Sequence, residues 1–351
     1  MPNSRKEKLK KHKIWLIVGG VAGVIFVFLL VLVLGVYKFN WNNRIFSGTT
    51  KVIPFPAVYV RGAGSLSVSE IKANTASVKK FYESQDFEKI GMRVDFSTDQ
   101  GAKRLAVKEK EVISKMIENK VIENLAKKRG ITLTDSTVAT ELESNIQQFG
   151  NKDNLMSDLA RLYGWTIKDF EQKVVKPGMY SEKLAQVYMN ELDTSAQQAK
   201  IKSLYEKVAS KKEDFAKTAK ESSDGQSAQS GGDLGWSTKD QLIQAVADKA
   251  FSMKTGEISE PIESPLGFHV LKLEEKKTDN GQDLVHLRQI FVKKTTFADW
   301  LKEQMKKYPV SIFLKDYQWN SNEAQIEFRD GGMRNFEQNL SANSEGDPSV
   351  F

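Results

Sequence analysis

The chain has 351 residues, 40% of them hydrophobic, with 52 Lys/Arg against 45 Asp/Glu and a formal charge of +7, a length that predicts two or three domains with at least one sizeable core. Six of the basic and one of the acidic residues lie in residues 1–13, which leaves 46 against 44 beyond them, too even a balance for a nucleic-acid surface. Cysteine is absent and the three histidines, His12, His269 and His286, stand at no metal-ligand spacing, which excludes disulfides and thiolate chemistry and argues against a zinc site; neither a metal nor a cofactor is expected.

Residues 1–13 read as a cytoplasmic basic segment, because residues 14–37 carry no charge and a helix of that length, at about 1.5 Å per residue, crosses a hydrocarbon core about 30 Å thick. The lysines and arginine before this expected transmembrane anchor place the rest of the chain outside the cytoplasm by the positive-inside rule. The apolar run exceeds a signal-peptide core and lacks an A-x-A-like cleavage site, so an uncleaved anchor in the lipid bilayer is expected. Gly19 and Gly23 form a G-x-x-x-G that is compatible with a homodimer through the membrane helix, and equally with ordinary membrane-helix composition.

A linker at 38–53 leads to residues 54–192. Pro54 and Pro56 favour extended chain, and the glycines that follow break it. Val112, Ile113, Met116, Ile117, Val121 and Leu125 then make an apolar stripe on a helix that stops near Gly130. Thr134 or Asp135 caps the next helix; Leu155, Leu159 and Leu162 share a face, Gly164 ends that run, Thr166 caps another, and Pro177 with Gly178 kinks or interrupts it. The run E-V-I-S-K-M-I-E-N-K-V-I-E-N-L-A-K-K-R-G-I-T-L-T-D, followed by Y-G-W-T-I-K-D-F-E, resembles the helical chaperone part of the SurA and PrsA families. That resemblance implies binding of unfolded polypeptide, which needs exposed apolar surface among solvated charges.

From Ser195 the pattern changes. Two short helical stretches precede S-D-G-Q-S-A-Q-S-G-G-D-L-G-W; a helix over 241–251 follows, then T-G-E-I-S at 255–259 and the alternating G-F-H-V-L-K-L at 267–273. These motifs, in this order and over about eighty residues, resemble the parvulin family of peptidyl-prolyl isomerases. By position the resemblance implies candidate catalytic residues Asp224, His269 and Gln289, and candidate substrate-binding residues Leu242, Val246, Phe251 and Ser264. Two positions depart from the family pattern: Val246 stands where a phenylalanine is usual, and Gln289 where the strand V-x-x-R-H-I-L-V carries a histidine. His286, three residues before Gln289, points to the opposite face of a strand and does not replace that histidine.

The histidine-bearing strand that parvulins place first is missing from its usual position, and its counterpart, V-H-L-R-Q-I-F-V-K, lies at 285–293. Pairing of this strand with 267–273 through the turn T-D-N-G-Q-D makes a permuted parvulin domain spanning 193–314; the rival reading makes 285 the start of a truncated second repeat. Residues 309–314 offer one further strand, and 315–351, rich in Asn, Glu, Ser and Gly, read as a solvated polar tail.

The expected fold class is therefore α+β: a transmembrane helix, a multi-helix SurA-like domain and an antiparallel sheet with flanking helices. The function these readings imply is a membrane-anchored foldase, a chaperone and prolyl isomerase whose partners are unfolded or proline-containing exported polypeptides. The competing reading is a non-catalytic holdase or envelope interaction protein that keeps the parvulin fold as a binding module.

Overall fold

The computed structural model describes residues 54–84 and 95–342, together with Val31, Gly35 and Tyr37. The expected segments 1–13, 14–37 and 38–53 therefore lie outside the described residues, those three positions apart. Among the described residues no helix is long and apolar enough to cross a membrane. In chain order the elements are β1 (Pro56–Val60), β2 (Gly64–Ser67), α1 (Val68–Ser84), α2 (Asp99–Lys128), α3 (Asp135–Phe149), α4 (Lys152–Asp158), α5 (Ile167–Phe170) and α6 (Lys176–Glu191). There follow α7 (Ser195–Ala209), α8 (Phe215–Ser222), β3 (Asp233–Ser237), α9 (Gln244–Ser252), β4 (Ile262–Ser264), β5 (Gly267–Asp279) and β6 (Gln282–Lys293). The chain ends with α10 (Phe297–Lys306), β7 (Val310–Ile312), β8 (Tyr317–Asn320), β9 (Gln325–Phe328) and α11 (Gly331–Ala342).

The described residues form two compact units, one of those up to 185 together with 301–342 and one of 186–300. The spine of the first is α2. Thr98 caps its start by accepting from the Gly101 N–H, and Ile113, Ile117, Val121 and Leu125 are buried at four-residue steps, the spacing that keeps side chains on one face. Val112 and Met116, on the edge of the stripe, are half-buried. Thr134 caps α3 and Thr166 caps α5, the latter through a reciprocal capping box with Asp169. The irregularity expected at Pro177 and Gly178 falls earlier. A π-helical turn at Glu171–Val175 runs without a break into α6, so Pro177 lies inside a continuous helical run from Ile167 to Glu191, just after the wider turn that accommodates a residue with no N–H to give to the turn before it.

The largest departure from expectation is the end of the chain. Residues 301–314 join the first unit instead of completing the second: β7 pairs with β1 in the sheet β2-β1-β7, and Tyr308 donates from its hydroxyl to Asn124 Oδ1 at 2.8 Å. Nor are residues 315–351 simply a solvated tail. β8 and β9 form a hairpin and α11 follows it, with only 343–351 outside the described residues. The physical reason is alternation within very short strands. Tyr317, Ile326 and Phe328 are buried while their neighbours are polar, so a composition averaged over the whole segment conceals a one-sided apolar face. Tyr317 donates to Glu109 Oε1 of α2 at 3.0 Å, burial pushes the Glu109 carboxyl above its ordinary value, and Lys110 pairs with Glu337 while lying 5.6 Å from the centre of the Phe328 ring.

In the second unit the sheet order is β3-β6-β5-β4, all antiparallel. β6 pairs with β5 from Gly267↔Lys293 to Asp279↔Gln282, the pairing the permuted arrangement requires. Helices α7 and α8 cover one face: Ile201, Leu204, Val208, Phe215 and Ala219 pack with Phe268, Val270, Ile290 and Val292. α9 covers the other, where Val246, Ala250 and Met253 pack with Leu271, Leu273, Val285 and Leu287.

If the C-terminal hairpin is part of the first unit's core, Phe328→Ala should lower the unfolding free energy by about 3–5 kcal/mol, the usual cost of deleting a buried aromatic ring. Urea denaturation followed by tryptophan fluorescence reads this directly; a solvated tail would give no change.

Candidate functional site

The two faces of β5 and β6 divide the labour of the second unit. Phe268 and Val270 of β5 and Ile290 and Val292 of β6 feed the core under α7 and α8, whereas His269, Leu271, Gln289 and Phe291 share the opposite face by strand alternation. His269 stands opposite Phe291 on β6 and opposite Ile262 on β4, and Gln289 stands opposite Leu271. His269 and Gln289 are thus diagonal neighbours, within reach of each other's side chains.

Ser264, His269 and Gln289 form one hydrogen-bonded chain. Gln289 Oε1 accepts from His269 Nδ1 at 2.9 Å, and His269 Nε2 lies 2.7 Å from Ser264 Oγ. His269 and Ser264 are buried. In this sense the imidazole carries its proton on Nδ1, and the Ser264 hydroxyl donates to Nε2. Turning the Gln289 amide over gives an equally complete chain: the amide donates to Nδ1, Nε2–H donates to Ser264 Oγ, and the hydroxyl donates to Gly267 O, 3.2 Å away. Either sense pairs each of these polar atoms around a neutral ring. Burial holds the His269 imidazole below its ordinary value; the Gln289 bond opposes this and the charge of Lys294 adds to it.

A serine 2.7 Å from an imidazole nitrogen is also the geometry of an activated nucleophile. Three features argue against that chemistry here. Ser264 is only 4% exposed, its Oγ already accepts from the Leu266 N–H at 3.2 Å, and the residue orienting the histidine is a neutral amide, which stabilises an imidazolium far less than a carboxylate would.

Gln289 is held by its backbone as well. Its N–H donates to Gly232 O at 2.8 Å, and Gly232 has φ +79° with so close an approach that a Cβ there would lie 2.3 Å from Gln289 O. The G-G-D-L-G-W motif therefore requires glycine at 232 for the turn and for the contact alike. The remaining residues implied by the sequence fall into two groups. Val246 is buried and Leu242 and Phe251 half-buried against the same apolar cluster as Leu271, although Leu242 lies just before α9 and not on it. Asp224 stands apart: its carboxylate accepts from Lys200 Nζ at 3.1 Å and from the Lys293 N–H at 3.0 Å. Its own N–H donates to Phe291 O at 2.8 Å, so Asp224 reaches the site through its backbone while its carboxylate is committed elsewhere.

His286 is on the other face, as strand parity requires. Its Nε2 lies 2.8 Å from Asp233 Oδ1, its ring 5.4 Å from that of Trp236, and Arg288 pairs with the same aspartate. One neighbour of His269 escaped the motif comparison: the ring of Phe291, 4.7 Å away. The signal for it was present, since Phe291 follows Gln289 by two residues and so shares its face.

With this geometry in place, comparison with known proteins agrees on both units. A SurA-like N-terminal domain model matches residues 7–185 and a rotamase model, described as a PPIC-type PPIase domain, matches residues 181–275; the second match stops before β6. The chaperone SurA of Chromohalobacter salexigens is 46% identical over 85 residues, 24% of this chain and 19% of that protein. The foldase protein PrsA of Caldanaerobacter subterraneus is 29% identical over 234 residues, 62% of this chain and 76% of that one. Against the SurA chaperones the matched part spans only about a fifth of their length. A crystal structure of PrsA from Bacillus subtilis overlays with a TM-score of 0.19 at 19% identity, covering 82% of this chain and 93% of that one.

The sheet, its flanking helices and the matched model define the second unit as a parvulin-type domain. The chain as a whole belongs to the family with a SurA-like N-terminal domain, in the foldase and chaperone branch that joins this domain to a PPIC-type one.

Two outcomes follow from the buried, neutral histidine. Because its folded-state value lies below the ordinary one, the unfolded chain takes up the proton first. The stability it contributes is complete above about pH 6.5 and is lost as the pH falls through the lowered value. The melting temperature should therefore decline on acidification in the parent and decline less in His269→Gln. Replacing Gln289 by Leu leaves Nδ1 without its partner and should cost about 1–3 kcal/mol, measured by urea denaturation.

Proposed function

We propose that this protein is a foldase whose parvulin-type unit accelerates cis–trans exchange of Xaa-Pro bonds in unfolded polypeptides. The observation that carries the reading is the neutral Ser264–His269–Gln289 chain, on the sheet face whose apolar cluster holds the buried Val246 and Leu271 with the half-buried Leu242 and Phe251 packed against it. The barrier to exchange, about 18–20 kcal/mol, comes from amide resonance, and it falls when the bond twists and its nitrogen loses conjugation. No nucleophile or cofactor is needed. An apolar surface that holds the proline ring and excludes water disfavours the charge-separated planar amide, and fixed polar groups stabilise the twisted one without reorganising.

In this reading His269 and Gln289 are the catalytic residues, and Leu242, Val246, Phe251 and Ser264 shape the proline pocket. Asp224 keeps the 223–225 loop against the end of β6. The Phe291 ring beside His269 supplies aromatic surface that a phenylalanine at 246 would otherwise provide. The Gln289 amide offers Nδ1 the hydrogen bond that a histidine would, without bringing a second titrating group.

The wider role continues from the sequence. Residues 14–37 anchor the chain in a bilayer, the units beyond act outside the cytoplasm, and exported chains are the clients, held by the helical unit while their prolines exchange. The foldase name of the PrsA relatives supports this reading.

The test is exchange NMR on an unstructured Xaa-Pro peptide with the full-length protein in detergent. Acceleration by the parent is expected, with kcat/KM falling by about a hundredfold to a thousandfold in His269→Ala and Gln289→Ala, the range for removing a positioned hydrogen-bonding group. A folded parent that leaves the exchange rate unchanged would transfer the function to the non-catalytic binding reading.

A further inference from the structure

The turn that carries Ser264 is gripped by a residue to which neither motif spacing nor alternation points. Lys294 follows β6 and is 7% exposed. Its backbone N–H donates to Leu266 O at 3.0 Å. Its ammonium donates to Ser264 O at 3.0 Å and to Glu263 Oε1 at 2.6 Å, and the Phe268 ring centre lies 4.9 Å from Nζ. An ammonium has three N–H donors, and a carbonyl, a carboxylate and an aromatic face account for all three.

Burying an ammonium is unfavourable unless the fold supplies its partners. The Glu263 side chain is 59% exposed, so an ion pair with it needed no buried lysine: one reaching in from solvent would have made it. What burial adds is the bond to Ser264 O, inside the turn, on the residue whose hydroxyl meets His269. Lysine is therefore placed where it costs most, at the one position from which it holds the Ser264 peptide through its side chain and the Leu266 peptide through its backbone.

We propose that Lys294 is a positioning residue of this site, clamping the turn between β4 and β5 so that the Ser264 hydroxyl is held against His269. The proposal rests on reading the site as that of a prolyl isomerase. It carries an electrostatic corollary. Ile262 and Ser264 of β4 and Gln289 and Phe291 of β6 surround His269 and none is charged. The charged residues of α9, Asp248 and Lys249, pair with Lys239 and Glu257, and Asp224 pairs with Lys200. Lys294 is thus the charge that acts on the imidazole, and it disfavours protonation.

The test uses the full-length protein in detergent with Lys294→Met, which removes both clamp and charge, and Lys294→Arg, which keeps both. Nitrogen-15 NMR of the imidazole reports the His269 titration and tautomer, and peptide exchange NMR gives kcat/KM. In Lys294→Met the His269 titration should move to higher pH and kcat/KM should fall about tenfold, through kcat more than KM, as expected for lost positioning; Lys294→Arg should restore both. An unchanged titration together with unchanged kcat overturns the proposal. Should Lys294→Met fail to fold, Lys294→Gln, which keeps one donor for Ser264 O without the charge, is judged by the same titration. If the parent shows no isomerisation, the functional reading fails by that result alone, while the imidazole titration still decides whether Lys294 governs His269.

Discussion

The second unit depends on the register between β5 and β6. One residue of slip by β6 against β5 would send Ile290 and Val292 to the face of α9 and turn Gln289 and Phe291 into the core beneath α7 and α8, away from His269. Apolar residues on both faces make that slip costly, because each face has its own helices to satisfy. A strand buried on one face only would pin the core but leave the polar chain less constrained. The hydrogen bonds between Ser264, His269 and Gln289 are thus set by hydrophobic burial on either side of them.

Charge is arranged around Ser264, His269 and Gln289 so that their hydrogen-bonded chain stays neutral. Asp224 is taken up by Lys200 and the Lys293 amide, and Asp233 by His286 and Arg288 on the far face. Each carboxylate thereby ties a loop or turn to β6 without presenting its charge to His269. Lys294 is the exception, a buried cation whose donors are turned toward Ser264 O, Glu263 and the Phe268 ring. A site for uncharged chemistry needs polar atoms that are paired yet polarisable, and a neutral imidazole between a hydroxyl and an amide satisfies both demands.

His269, Ser264 and Gln289 were legible through the position-by-position resemblance to parvulins, and alternation in G-F-H-V-L-K-L and R-Q-I-F-V fixes which neighbours of His269 and Gln289 share a face with them. Phe291 was legible by the same alternation, since it follows Gln289 by two residues and faces the same side of β6. Asp224 shows the limit of transfer by position: its place beside β6 follows from the motif, but the partners of its carboxylate come from α7 and the end of β6, which the local sequence does not specify. Lys294 carried no signal. One lysine among 52 basic residues is singled out only when a turn thirty residues earlier closes over it.

Neighbouring residues alone specify the elements with strong local causes: the capped helices at Thr134 and Thr166, the four-residue apolar stripe of α2, the glycine turn at 232, and the alternation of β5 and β6. These are written in neighbouring residues, where side-chain period and backbone freedom act over a few positions. Which unit claims the chain after residue 300 is settled by long-range packing. β7 pairs with a strand some 250 residues earlier in sequence, and Tyr317, Ile326 and Phe328 become core because α2 offers a surface to bury them. Long-range pairing leaves little local mark, because a three- or four-residue strand acquires its stability from the partner it meets and not from its own sequence.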